Sequence, residues 1–156
     1  MYRKILVPLD GSALAETAIP HATLLASATR AKLELIRITI LRFHQQSGKG
    51  GFTVKEEADK EEAVSYLQEW QRRLESQGLE VSFRVMSGSV AESIIKYARQ
   101  IQSDLIVMTT HGRTGTRLWA YGSVAYGVLR NAPCSVMVVR APRGDAESGE
   151  HIDPER

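Results

Sequence analysis

Short apolar runs alternate with stretches of helical spacing along this chain. The runs with the length and composition of buried strands cover residues 4–9, 32–41, 81–85, 104–109 and 135–140. The stretches whose apolar residues recur every three or four positions cover residues 13–28, 55–77, 90–101 and 123–130. Strands that alternate with helices are typical of an α/β fold, in which helices cover both faces of a parallel sheet. The pattern therefore predicts a five-stranded parallel sheet.

Polar and glycine-bearing segments mark the ends of these elements. Ser12 is a natural N-cap for the first helix, and Gly78 is a good C-terminal stop for the second. Pro20 lies inside the first helical stretch, so we expect either a kink or a less regular start to that helix. Residues 42–54 and 110–121 contain glycines and no periodicity, and they are predicted to be loops.

Length and charge limit the organisation of the chain. Its 156 residues favour one domain, which we place at residues 1–140. Residues 141–156 have no periodicity and contain five acidic residues against two arginines, so we predict a disordered acidic tail. The net charge of +2 is small, and the basic residues neither cluster on one predicted face nor interleave with aromatic residues. This distribution argues against a nucleic-acid-binding protein.

Cysteine content and hydropathy indicate the compartment. Cys134 is the single cysteine, so no internal disulfide can form, which fits a reducing compartment. No apolar run approaches the roughly 20 residues of a membrane span, and the apolar stretch at the start is too short for a signal peptide. We therefore expect a cytoplasmic protein that does not enter the membrane.

Two segments place polar residues and glycines where an open α/β sheet binds ligands, beyond the carboxyl ends of its strands. Residues 10–12 follow the first strand, and residues 109–123 follow the fourth. Gly112 would let the backbone come close to a ligand. The helix that opens at Gly122 and Ser123 would present free N–H groups and a positive dipole end. This placement favours a phosphate site over a plain turn.

The sequence gives little support for a metal site, a catalytic site or another kind of nucleotide-binding motif. The four histidines have no metal-ligand spacing with Cys134 or a carboxylate. His111 has no evident orienting partner, so we predict neither a catalytic residue nor a resident metal. Residues 48–51 do not form a Walker loop, and no dinucleotide-binding glycine motif follows the first strand.

Four motifs together resemble the universal stress protein family. They are V-P-L-D-G-S near the start, D-L-I-V-M-T-T-H-G-R-T-G in and after the fourth strand, G-S-V-A at a helix start, and N-A-P-C-S-V-M-V-V-R at the fifth strand. The resemblance covers residues 2–140 in order and with matching spacing. It implies a sheet of strand order 3-2-1-4-5, as in adenine nucleotide alpha hydrolase-like proteins, and often a homodimer.

The ATP-binding branch of that family carries the pattern G-x2-G-x9-G-[ST]. The matching positions here are Thr109, Gly112, Gly122 and Ser123, so a threonine stands where the branch has its first glycine. The nine-residue spacer and the remaining positions are intact. The resemblance thus implies ATP, accompanied by Mg²⁺, as the ligand.

The family also implies roles for single residues. Asp10 would meet the adenosine moiety beside Pro8 and Leu9, the backbone of Ile38 would read the adenine edge, and Met108 would line the base pocket. From the sequence alone, Asp10 could equally be a turn residue, and Ile38 and Met108 ordinary core residues.

The family places two further residues near the phosphates. Arg113 would lie beside them, and Val124 would offer its backbone N–H. Without the resemblance, Arg113 would be interpreted as a solvated loop charge.

The fifth strand is predicted to be an edge of the sheet. Its residues Val136, Met137, Val138 and Val139 make it apolar on both faces, and no charge or proline interrupts it before Arg140. An exposed apolar edge promotes association unless it is covered. Pairing with a second copy by two-fold symmetry would cover it, so we predict a homodimer through this strand. Alternatively, residues 141–156 or the helix that starts near residue 123 could cover the edge.

The sequence as a whole favours a regulatory protein that binds ATP without a dedicated catalytic reaction. One alternative is a universal stress protein that binds no nucleotide and acts by dimerisation and contact with an unknown protein partner, which Thr109 favours. The other is a slow ATPase or an ATP-dependent enzyme, and an enzyme that activates a substrate with ATP would need a second polar pocket.

Overall fold

The computed structural model describes residues 1–40, 44–45, 52–53, 56–110 and 122–140. The strands are β1 (Lys4–Pro8), β2 (Lys32–Thr39), β3 (His44–Gln45), β4 (Phe52–Thr53), β5 (Val81–Ser87), β6 (Leu105–Thr109) and β7 (Ser135–Val139). The helices are α1 (Ala13–Glu16), α2 (Ala18–Thr29), α3 (Glu56–Glu75), α4 (Val90–Gln100) and α5 (Ser123–Asn131). The predicted tail, residues 141–156, lies outside the described residues.

Five strands form one parallel sheet in the order β5-β2-β1-β6-β7. Counted along the chain without β3 and β4, this is the predicted order 3-2-1-4-5, so the predicted fold is confirmed. The order reverses between β1 and β6, which is where such sheets bind ligands. β3 and β4 form a separate antiparallel pair within the segment predicted to be a loop.

Two hydrophobic cores lie on opposite faces of the sheet. Because successive side chains of a strand point to opposite faces, Val7 packs on the face covered by α1, α2 and α3, and Leu6 on the face covered by α4 and α5. Both side chains are fully buried. Among the helices that the structure describes, none has the length and apolarity to cross a membrane.

The first helical stretch is two helices rather than one kinked helix. α1 ends after one turn, and α2 begins again at Ala18. Pro20 therefore falls in the first turn of α2, where a backbone N–H has no acceptor within the helix. The proline removes no helical hydrogen bond there, so the less regular start is the correct alternative and the kink is wrong.

Candidate functional site

A cavity of about 560 Å³ opens at the carboxyl ends of β1, β2 and β6. This volume is in the range of pockets that hold small molecules and cofactors. Every predicted binding residue within the described ranges lines it, namely Pro8, Leu9, Asp10, Ile38, Met108, Thr109, Gly122, Ser123 and Val124. Gly112 and Arg113 lie outside the described residues. The fold thus brings together residues that are far apart in sequence, and their role in binding stays a prediction.

A tight turn after β1 orients Asp10 at the cavity wall. The Ser12 backbone N–H donates to Asp10 Oδ1 over 2.9 Å, and Ser12 Oγ accepts from the Ala15 N–H over 3.1 Å, which makes Ser12 the predicted N-cap. Gly11 between them has a φ of +82°, a conformation that glycine adopts without strain. Ser12 therefore starts α1, while Asp10, two residues earlier, presents its carboxylate to the cavity.

The start of α5 forms another part of the wall. The Gly122 N–H donates to the Thr110 carbonyl oxygen over 2.8 Å, which joins the start of α5 to the end of β6. Gly122 is the N-cap of α5, and Ser123 at the first helical position is exposed. The first N–H groups of a helix have no acceptor within it and carry a partial positive charge. They are suited to an anionic ligand.

The side of the cavity nearest α4 and α5 is apolar. Its side chains are Ile36, Ile38, Val90, Ile94, Met108 and Val124, all of which belong to or pack against the core on that face. Thr109 follows Met108 in β6, so its side chain points to the opposite face of the sheet. The apolar wall is therefore built without Thr109.

Sequence analysis missed three charged residues that line the cavity: Arg37, Asp59 and Glu62. Arg37 is only 8% exposed, and its Nη2 donates to Glu62 Oε1 over 3.0 Å. Arg37 could have been identified from the sequence as a basic residue near the end of a strand that is otherwise buried on both faces. Asp59 and Glu62 are on α3, and nothing in the sequence relates that helix to the cavity.

A hydrogen-bonded cluster joins α3 to α1 beside Arg37. Glu16 Oε1 accepts from Tyr66 Oη over 2.8 Å and from Trp70 Nε1 over 3.3 Å. The Arg37 guanidinium carbon lies 5.2 Å from the centroid of the Tyr66 ring. Burial raises the pKa of Tyr66, and the hydrogen bond to Glu16 raises it further. The phenol therefore stays protonated and keeps donating to Glu16.

The candidate metal ligands of the described residues are scattered through the fold. No group of three or more His, Cys, Asp or Glu side chains among the described residues could hold a metal ion. His111 lies outside the described residues.

β7 is at the edge of the sheet, as the sequence predicts. It pairs with β6 along one side, and no described strand pairs with its other side. Val136 and Val138 are partly buried, whereas the Met137 side chain is 37% exposed. Its use as a dimer interface stays a prediction.

Comparisons with known proteins agree with this architecture. The sequence model described as Universal stress protein family matches residues 1–140. A universal stress protein of Methanocaldococcus jannaschii is 33% identical over 144 residues, which cover 92% of this chain and 85% of that protein.

Solved structures give the same result. A universal stress protein family structure from Burkholderia pseudomallei has a TM-score of 0.69 and 28% identity, with 88% of this chain and 96% of that chain covered. A universal stress protein solved in complex with cAMP has a TM-score of 0.68 at 22% identity, and the match covers 90% and 98% of the two chains.

Proposed function

This chain belongs to the universal stress protein family, and from that premise we propose that it binds ATP in the cavity between the carboxyl ends of β1 and β6. The observation that carries the proposal is that all the described residues that the family pattern assigns to ATP line one cavity. A protein of the same fold has been solved in complex with cAMP. cAMP is therefore the second adenine nucleotide to test.

The base would lie against the apolar wall on the α4 and α5 side. Ile38 and Met108 would contact its faces, and the backbone of Ile38 would pair with its polar edge. A purine ring that leaves water for such a wall gains roughly 25 cal/mol for each Å² of apolar surface buried. The apolar wall thus accounts for affinity, and the backbone groups account for the choice of base.

The ribose and the phosphates would meet polar groups on either side of the base. Asp10 accepts hydrogen bonds in a fixed orientation, which suits the ribose hydroxyls. The N–H groups of Ser123 and Val124 and the Ser123 hydroxyl suit phosphate oxygens. We expect Mg²⁺ to arrive with the triphosphate rather than in a site of its own.

We propose that ATP acts on this protein as a regulatory ligand, without a dedicated reaction. Bound phosphates would contact the start of α5, which changes the surface offered to a partner. The protein would work in the cytoplasm, where its ligand is available. A slow ATPase activity would be seen as phosphate release in the same samples.

Thr109 decides between this proposal and a family member that binds no nucleotide. Its side chain points away from the Met108 wall, so it leaves the proposed base pocket open. If the wild type binds no nucleotide but Thr109→Gly does, the threonine blocks the site, and dimerisation with partner contact becomes the better function.

The test is nucleotide analysis of a denaturing extract, together with a thermal titration with Mg-ATP. We expect bound nucleotide or a saturable rise in Tm, because a ligand at 100 times its Kd stabilises a protein by about 2.7 kcal/mol. Gly122→Glu should abolish the rise, since it places a bulky anion at the proposed phosphate site. Gly122 has a φ of −55°, which a glutamate adopts without strain.

Leu24→Glu is the matched control for that variant. It adds the same charge at a 70% exposed position of α2, outside the cavity lining, and should leave the Tm rise intact. No bound nucleotide and no Tm shift at millimolar ATP or cAMP would contradict the proposed function.

A further inference from the structure

Arg37 is a buried cation in the wall of the cavity. Its side chain is about nine-tenths buried, and it lines the cavity from the face of β2 opposite to Ile36 and Ile38, on the side of α3. Burying a guanidinium is costly unless the group is paired and hydrogen-bonded. A buried arginine at a ligand cavity therefore needs an explanation that a surface arginine does not.

The surroundings of Arg37 fix the position of its guanidinium. The group lies over the Tyr66 ring, and Tyr66 is itself hydrogen-bonded to Glu16. It also lies close to Gly11, where a Cβ atom would come within 3.3 Å of the guanidinium carbon. The aromatic ring and the turn after β1 thus hold a planar cation in place at the cavity.

The ion pair between Arg37 and Glu62 is unequal. The Arg37 side chain is 10% exposed and that of Glu62 is 69% exposed. The carboxylate of Glu62 can return to water at little cost, whereas the guanidinium cannot. An anionic ligand in the cavity could therefore replace Glu62 as the partner of Arg37.

Arg37 is the one basic residue among the described residues that line the cavity. Among the described residues that line it, three are acidic, Asp10, Asp59 and Glu62, and one is basic, Arg37. The three carboxylates would repel an entering polyphosphate, whereas the one buried guanidinium would attract it. A guanidinium also offers five N–H donors in a fork that matches phosphate oxygens.

We infer that Arg37 binds the phosphate chain of the nucleotide and that Glu62 competes with the phosphate for it. The inference rests on the proposed function and extends it, because it makes Arg37 the residue that selects phosphorylated over unphosphorylated adenosine. When the nucleotide enters, the guanidinium exchanges the Glu62 carboxylate for a phosphate oxygen, and Glu62 turns to solvent.

The test compares the affinities of Mg-ATP and adenosine by isothermal titration calorimetry. Arg37→Met keeps most of the side-chain volume and removes the charge. We expect it to weaken ATP binding roughly tenfold or more, as for the loss of one charge-assisted hydrogen bond, and adenosine binding less than about twofold. Arg37→Lys keeps the charge without the fork and should fall between wild type and Arg37→Met.

Glu62→Gln tests the competition directly. It should tighten ATP binding by roughly twofold to fivefold, the range of a largely exposed ion pair, and leave adenosine unchanged. Glu69→Gln is its control, because Glu69 carries the same charge on the same helix, pairs with Arg72 and Arg73, and does not line the cavity. It should change neither affinity.

Each other result has a defined meaning. Equal weakening of ATP and adenosine by Arg37→Met, or no change in either, would overturn the inference, because Arg37 would then only support the turn at Gly11 or play no part in binding. Unchanged or weaker ATP binding in Glu62→Gln would overturn the competition. A wild-type protein that binds neither ligand would instead contradict the proposed function itself.

Discussion

Gly11 shows how one residue connects the backbone to the site. It has a φ of +82°, and a Cβ there would press on the Arg37 guanidinium at 3.3 Å. Gly11→Ala should therefore lower the free energy of unfolding by more than the roughly 1 kcal/mol of backbone strain alone. Urea denaturation measures the loss, and a weaker selectivity for ATP over adenosine should accompany it.

Gly78 provides the matched control for Gly11. Its φ is +83°, and nothing lies within 4 Å of the position that a Cβ would take. Gly78→Ala therefore carries the same backbone strain without the contact with Arg37. Equal losses of stability in the two variants would show that Gly11 does not support the guanidinium.

At the scale of elements, Asp104 joins the start of β1 to β6. Its Oδ2 accepts from the backbone N–H groups of Arg3 and Lys4 over 2.8 and 2.9 Å. These hydrogen bonds, that of Arg3 foremost, hold the pKa of Asp104 below its usual range. The stabilisation is therefore fully present above the unfolded pKa of about 3.9 and is lost as the pH falls through the lower folded value.

Asp104→Asn should show this pH dependence. At neutral pH the variant should be less stable by about 1 kcal/mol, at the low end for charged hydrogen bonds because the carboxylate is partly exposed. The difference should shrink as the pH falls below about 4. Urea unfolding of both proteins from pH 7 to pH 3 measures it, and a difference that does not vary with pH would contradict the assignment.

Local chemistry explains which elements could be predicted from the sequence. The strands and most helices follow from hydrophobic period, and Ser12 caps α1 because its hydroxyl can reach the Ala15 N–H. The sequence could not decide between a kink and a less regular start around Pro20, because proline disrupts a helix interior but is tolerated in a first turn. The short pair of β3 and β4 gives too little periodic signal to predict.

The sequence could predict only the part of the candidate site that local motifs mark, and not the part that depends on tertiary contacts. The sequence could predict that Asp10, Met108 and Ser123 lie together, because each is at the carboxyl end of a strand or opens a helix in a recognisable motif. Arg37 and Glu62 were missed because they are 25 residues apart and meet only when α3 packs beside β2. Such a contact has no local sequence signal, since exposed glutamates on a polar helix are ordinary.

At the scale of the whole molecule, the edge at β7 leads to the last prediction. Among the described residues no strand pairs with the outer side of β7, so it is an open edge there, and Met137, which is 37% exposed, makes this edge apolar. We propose that two copies pair through β7 by two-fold symmetry. Met137→Lys would then bring two like charges near the axis and should weaken the dimer at least about tenfold.

Sedimentation equilibrium of the wild type and the variant measures this effect. Leu24→Lys adds the same charge at an exposed position of α2 and should leave the dimer intact. A monomeric wild type, or an equally tight dimer in Met137→Lys, would rule out association through β7. Thr109 lines the cavity at the end of β6 and pairs with Val139 of β7. A dimer interface on β7 would therefore lie one strand away from the proposed nucleotide site.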